Sequence, residues 1–142
     1  MRLSDHTDYG LRLLVFLGAS TDRRCSAAEM ARRYGISYTH VQKVVQSLEA
    51  GGFVETFRGR GGGVSLARSP ADITIGDVVR ALEPHMGIVR CLQPGESGCV
   101  LDGGCALTGA MVRARNAFMT ELDSVSLDEM VGSSPGLVQL VR

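Results

Sequence analysis

Three of the chain's four cysteines, Cys91, Cys99 and Cys105, are spaced C-x7-C-x5-C among glycines and acids. Thiolates are metal ligands, and a loop that contains Gly95, Gly98, Gly103 and Gly104 is supple enough to let three of them converge on one centre. The spacing is neither the paired C-x2-C of a zinc knuckle nor the tight run of a bacterial ferredoxin. Three thiolates suit an iron-sulfur cluster with one iron held by another group. Zinc with one further ligand is the second reading, for which His85 stands six residues before Cys91. A metal-free thiol switch is the third reading. Cys25 stands apart, ahead of the second helix, and reads as a small buried hydrophobe.

The compartment bears on that choice. The N-terminal apolar run Leu13 to Leu17 is too short to span a bilayer, and no signal-peptide cleavage pattern follows it. These features predict a cytoplasmic protein with no membrane partner, where clustered cysteines bind metal or sense redox state rather than form a disulfide framework. The 142 residues, 44% of them apolar, are enough for one buried core. Net charge is zero, but residues 1–68 hold ten Lys/Arg against six Asp/Glu, a balance of +4, and residues 69–142 hold five against nine, a balance of −4. A basic module joined to an acidic one fits a DNA-reading head with a sensing or dimerising tail.

The elements that position these residues are mostly helical. Leu11, Leu14, Val15 and Gly18 recur at helical spacing and predict a first helix over about 7–19. Ser26 and Glu29 form a capping-box pattern for a short helix to about Arg33, stopped at Tyr34-Gly35. Ser37 caps a helix with Val41, Val44, Val45 and Leu48 on one face, ending at Gly51-Gly52. Two strand-like runs, "FVETF" and "GVSLA", flank the tip "RGRGGG". Helix, turn, helix and hairpin make a winged helix-turn-helix. After Pro70 a further helix ends near Pro84; the cysteine loop follows it. From Ala106 the stripe Leu107, Ala110, Met111, Ala114, Ala117, Phe118 and Leu122 predicts a long helix whose small residues suit a two-fold dimer interface, or else packing on its own winged helix. Ser126 and Glu129 cap a last short helix.

The expected class is therefore mainly α with a small β-hairpin wing: a winged helix-turn-helix plus a long dimerisation helix. The expected units are a DNA-binding domain over 1–84, a metal-binding loop over 85–105, a dimerisation helix with a short C-terminal helix over 106–131, and a tail over 132–142. Base and phosphate contacts are expected from Tyr38, Thr39, His40, Gln42 and Lys43 of the second motif helix and from Arg58 and Arg60 of the wing. Gly61 and Gly62 let wing backbone approach phosphates, and Arg12 is a candidate for the DNA backbone. No phosphate loop, Ser/His/Asp pattern or substrate domain supports an enzyme.

The stretches "TDYGLRLLVFLGAS", "FVETFRGRGGGVSLA", "ITIGDVVRALEP" and "AFMTELDSVSLDEMV", with the three-cysteine loop, resemble the Rrf2 superfamily of winged-helix regulators over nearly the whole chain. They look most like its nitric-oxide-sensing branch. The resemblance implies an iron-sulfur homodimer, 4Fe-4S in preference to 2Fe-2S, that represses genes from palindromic operator DNA and is released by nitric oxide. It puts the cluster cysteines on Cys91, Cys99 and Cys105, and matches Asp8 in "HTDYG" to a carboxylate that the partner subunit can contribute. Cluster-assembly members use a histidine three residues past the last cysteine, where this chain has Thr108. The first cysteine gap is two residues longer than the commonest pattern of the branch, and iron-responsive members also carry three cysteines. Iron or cluster status is therefore the alternative signal.

Overall fold

The computed structural model describes residues 2–95, 99–101, 104–134 and 136. Helix α1 spans Asp5–Gly18, because the Ser4 hydroxyl accepts the Thr7 amide and starts the helix two residues before its apolar periodicity begins. Helix α2 spans Ala27–Tyr34, with the Ser26 hydroxyl accepting the Glu29 amide and Gly35 closing it. Helix α3 spans Tyr38–Ala50, capped by Ser37 on the His40 amide. The wing pairs β1 (Val54–Phe57) antiparallel to β2 (Gly63–Leu66), from Val54 opposite Leu66 to Phe57 opposite Gly63. Helix α4 spans Ile75–Leu82 behind the Thr74 cap. Helix α5 spans Ala106–Asp123, and α6 spans Leu127–Gly132 behind the Ser126 cap.

One core joins these pieces. Leu13, Leu14 and Phe16 of α1 meet Met30 of α2, Val41, Val44 and Leu48 of α3, Val54 and Val64 of the wing, and Val78 and Leu82 of α4. Position 10, where α1 passes α4, is glycine; a Cβ there would meet Leu82 Cδ1, and that side chain would have to shift. Cys25 is fully buried, as a small hydrophobe should be. Its backbone also bridges to the wing: Cys25 N–H donates to the Val64 carbonyl at 3.0 Å, and Val64 N–H donates back at 2.8 Å. Burial pushes its thiol pKa up, which keeps it protonated and inert.

The C-terminal part returns to the same core. Leu127 N–H donates to the Ile73 carbonyl at 2.8 Å, Ile75 N–H donates to the Val125 carbonyl at 2.9 Å, and the Leu127 side chain is 0% exposed. Helix α5 behaves differently. None of its residues is buried within the single chain, and Leu107, Ala114 and Ala117 of its apolar stripe are exposed. Among the described residues no helix is long and apolar enough to cross a membrane. The expected tail lies largely outside the described residues, as do Gly98 and Gly103 of the cysteine loop.

Candidate functional site

The reading face is the exposed side of α3 with the wing beside it. Burial of Val41, Val44, Val45 and Leu48 turns the opposite side of α3 outward, so Tyr38, Thr39, His40, Gln42 and Lys43 are all exposed. The Gln42 side-chain amide donates to the Tyr38 hydroxyl at 3.2 Å, which presents two hydrogen-bonding groups together at the exposed start of the helix. The wing is set against this helix by Glu49, whose Oε1 accepts the Thr56 amide at 3.2 Å and the Thr56 hydroxyl at 2.5 Å. The Arg24 guanidinium lies 3.5 Å over the Phe57 ring and steadies the wing's base. At its tip Gly59 (φ 83°) and Gly61 (φ 78°) occupy the left-handed region that admits glycine, and they carry the exposed Arg58 and Arg60 through a tight turn. Gly62 completes that turn, donating its N–H to the Gly59 carbonyl at 3.0 Å.

The cysteine centre gathers at the start of α5. Cys105 occupies the N-cap position without a side-chain capping bond. The adjacent Thr108 and Leu107 nevertheless hold the thiol below its usual range. Cys91 reaches the same place from the other end of the loop, its Sγ 3.6 Å from Thr108 Oγ1. Two of the three thiols thus share one neighbour. Cys99 is exposed beside Val100 (99% exposed) and Leu101 (61% exposed), and all four cysteines are free thiols. Among the described residues no three His, Cys, Asp or Glu side chains of one chain are close enough together to hold a metal ion. The donor set still fits an iron-sulfur group in its chemistry: unlinked thiols, two of them converging, one depressed toward the thiolate. His85 is exposed and lines a cavity of about 430 Å³ with Arg2, Glu83 and Phe118.

Asp8 is half-exposed on α1 and pairs with Arg12 one turn on, Arg12 Nη2 to Asp8 Oδ2 at 2.8 Å. The two residues assigned from sequence to metal and to DNA backbone are therefore partners of each other.

Residues 3–133 match the Rrf2 family, described as an iron-dependent transcriptional regulator. The chain belongs to the Rrf2 family. It is 38% identical over 143 residues to the transcriptional regulator NsrR of Bacillus subtilis, covering 100% of this chain and 98% of that one. It is also 38% identical to protein aau3 of Rhizobium meliloti over 95% of this chain and 88% of that one. Among solved structures, CymR, the global cysteine regulator of B. subtilis, superposes with a TM-score of 0.77 at 26% identity, covering 93% of this chain and 97% of that one. The Rrf2 chain is accordingly a winged-helix transcriptional regulator and not an enzyme.

Sequence reasoning missed three features of this Rrf2 protein. His6 and Tyr9 of α1 line a notch of about 230 Å³ with His40 and Lys43 of the reading helix. Glu83 binds the start of α1: its Oε2 accepts the Thr7 hydroxyl at 2.6 Å and the Ser4 amide and hydroxyl at 3.0 Å each. Thr108 joins two cysteines. Of these residues Thr7 alone is fully buried, a polar side chain set into the core.

Proposed function

We propose that this Rrf2 protein is a homodimeric, iron-sulfur-containing repressor that holds a palindromic operator and releases it when nitric oxide attacks the cluster. The observation that carries the reading is that Cys91 lies beside Thr108 in the first turn of the helix that Cys105 caps, a helix with no residue buried in the single chain. The similarity to NsrR supports the choice of signal.

Cys91, Cys99 and Cys105 of one subunit would hold the group, with Asp8 of the partner subunit as the remaining ligand. Leu107, Ala114 and Ala117 of α5, and the exposed Val100 and Leu101, supply the apolar surface that a second copy covers. When bound, the group supplies iron open to attack by a small diatomic. A carboxylate is a weaker ligand for iron than thiolate, so Asp8 is the corner most easily displaced. Held there, Asp8 would tie α1 of one subunit to the cysteine loop of the other, and its release would free the two α3 helices from the fixed separation that half-sites one helical turn apart require. Tyr38, Thr39, His40, Gln42 and Lys43 meet the major groove in this reading. Arg58, Arg60 and the wing glycines, with Arg12, meet the backbone and minor groove.

The family's description as iron-dependent favours iron or cluster status as the second candidate signal. A zinc-stapled form is the remaining alternative. Native mass spectra of protein purified without oxygen, recorded before and after nitric oxide titration, separate them. One cluster per subunit of a dimer, replaced by nitric oxide adducts, is the expected result. A cluster indifferent to nitric oxide but lost on iron depletion selects the second signal, and bare or zinc-loaded protein after reconstitution overturns the cluster.

A further inference from the structure

The cysteine centre contains one polar side chain that neither the ligand set nor the reading face uses. Thr108 is three residues into α5 and half-buried. Its Oγ1 lies 3.6 Å from Cys91 Sγ, within hydrogen-bonding range of sulfur. Cys105 is the N-cap of the same helix, three residues earlier. One hydroxyl therefore stands beside the first thiol of the loop and within a turn of the last.

We propose that Thr108 is a positioning residue of the metal centre, its hydroxyl donating a hydrogen bond to a metal-bound thiolate of Cys91 or Cys105 and so setting the centre's reduction potential and its resistance to loss. The inference rests on the cluster reading above.

The direction of that bond follows from ligation itself. In the metal-free chain either Cys91 or Thr108 can be the donor. A cysteine ligates metal as the thiolate, which has no proton and only accepts. Once the sulfurs hold metal, the donor must be Thr108. A donor draws negative charge from the sulfur and favours the reduced, more negative form of the group, so it raises the potential; hydrogen bonds to sulfur are one of the levers that set potentials in iron-sulfur proteins. A donor also fixes the orientation of its ligand, and partners of this kind contribute about 10–100-fold to metal affinity.

The test uses the full chain reconstituted with cluster without oxygen, as the parent, Thr108→Val and Thr108→Ser proteins. Valine removes the hydroxyl at nearly constant volume; serine keeps it. The midpoint potential is read by redox titration of the visible absorbance, and cluster retention by the rate of bleaching under an iron chelator. Thr108→Val should shift the potential negative and bleach about tenfold faster. Thr108→Ser should stay close to the parent in both, and all three should share one urea midpoint. A brown Thr108→Val protein with the parent's potential and bleaching rate overturns the inference and leaves the cluster reading intact. A serine variant that behaves like valine also overturns it, because the hydroxyl is then not what matters. A parent that takes up only zinc, or nothing, overturns the cluster reading itself and Thr108's role with it.

Discussion

The Thr7 hydroxyl donates to Glu83 Oε2 at 2.6 Å, which fastens the first turn of α1 to the residue that ends α4. The Ser4 amide and hydroxyl donate to the same oxygen, so the helix that carries Asp8 and Arg12 is tied to the root of the cysteine loop. Burial works to raise the Glu83 pKa, but the bonds from Thr7 and Ser4, with His85 nearby, bring it below the usual carboxylate value.

This tie should make stability depend on acid. A carboxyl whose pKa is lower in the folded chain contributes stability above its unfolded value, near 4.3, and loses it as pH falls through the folded value. Glu83→Gln should cost about 1 kcal/mol at neutral pH. Urea unfolding at successive pH values should show the gap between parent and variant closing on acidification through that window; a gap constant with pH would rule out the Glu83 charge as its source.

Leu127 is expected to belong to the reading head's folding unit although it lies beyond the cysteine loop. Leu127→Ala empties a fully buried site between Ile73 and α1, and should lower unfolding stability by about 2–5 kcal/mol. Denaturation followed by both circular dichroism and tyrosine fluorescence should give one shared transition. Two separated transitions would mean that the arm folds independently.

Arg60→Ala should weaken operator binding and lower the slope of log affinity against log salt by about 0.9 for each phosphate that the guanidinium neutralises. Fluorescence anisotropy over a range of salt concentrations reads both quantities. An unchanged slope with unchanged affinity would take Arg60 off the interface.

The cysteines should separate into two classes. Cys99→Ala should give a folded, colourless dimer with poor operator affinity, whereas Cys25→Ala should stay brown and lose stability, since its side chain is fully buried in the core. Visible absorbance after reconstitution decides: a brown Cys99→Ala protein ends its role as a ligand.

Local features of the fold were legible in sequence because their causes are local. Ser26 with Glu29, Ser37, and Ser126 with Glu129 cap where their patterns say, since each cap bond spans three residues. The start of α1 was displaced because apolar periodicity marks the buried turns of a helix, and its first turn, Asp5–Asp8, is polar apart from the helix geometry that Ser4 imposes. The cysteines, the wing arginines and the α3 side chains were legible as residue types. Their partners were not. Thr7 and Glu83 are 76 residues apart and Cys91 and Thr108 are 17 apart, and no periodicity connects such pairs. The bridge between Cys25 and Val64 was invisible for the same reason, because a backbone contact leaves no mark on side-chain pattern.

The excursion from Glu83 to Ser126 is pinned to one core at both ends, by Thr7 at the first and by the Ile73–Leu127 bond at the second. Between two such anchors the chain can lengthen cheaply, since even doubling a flexible closed loop costs only about 0.6 kcal/mol of entropy. A change of loop length there is then nearly neutral for the reading head, so the arm can be re-spaced while the surface that carries α3 and the wing keeps its shape.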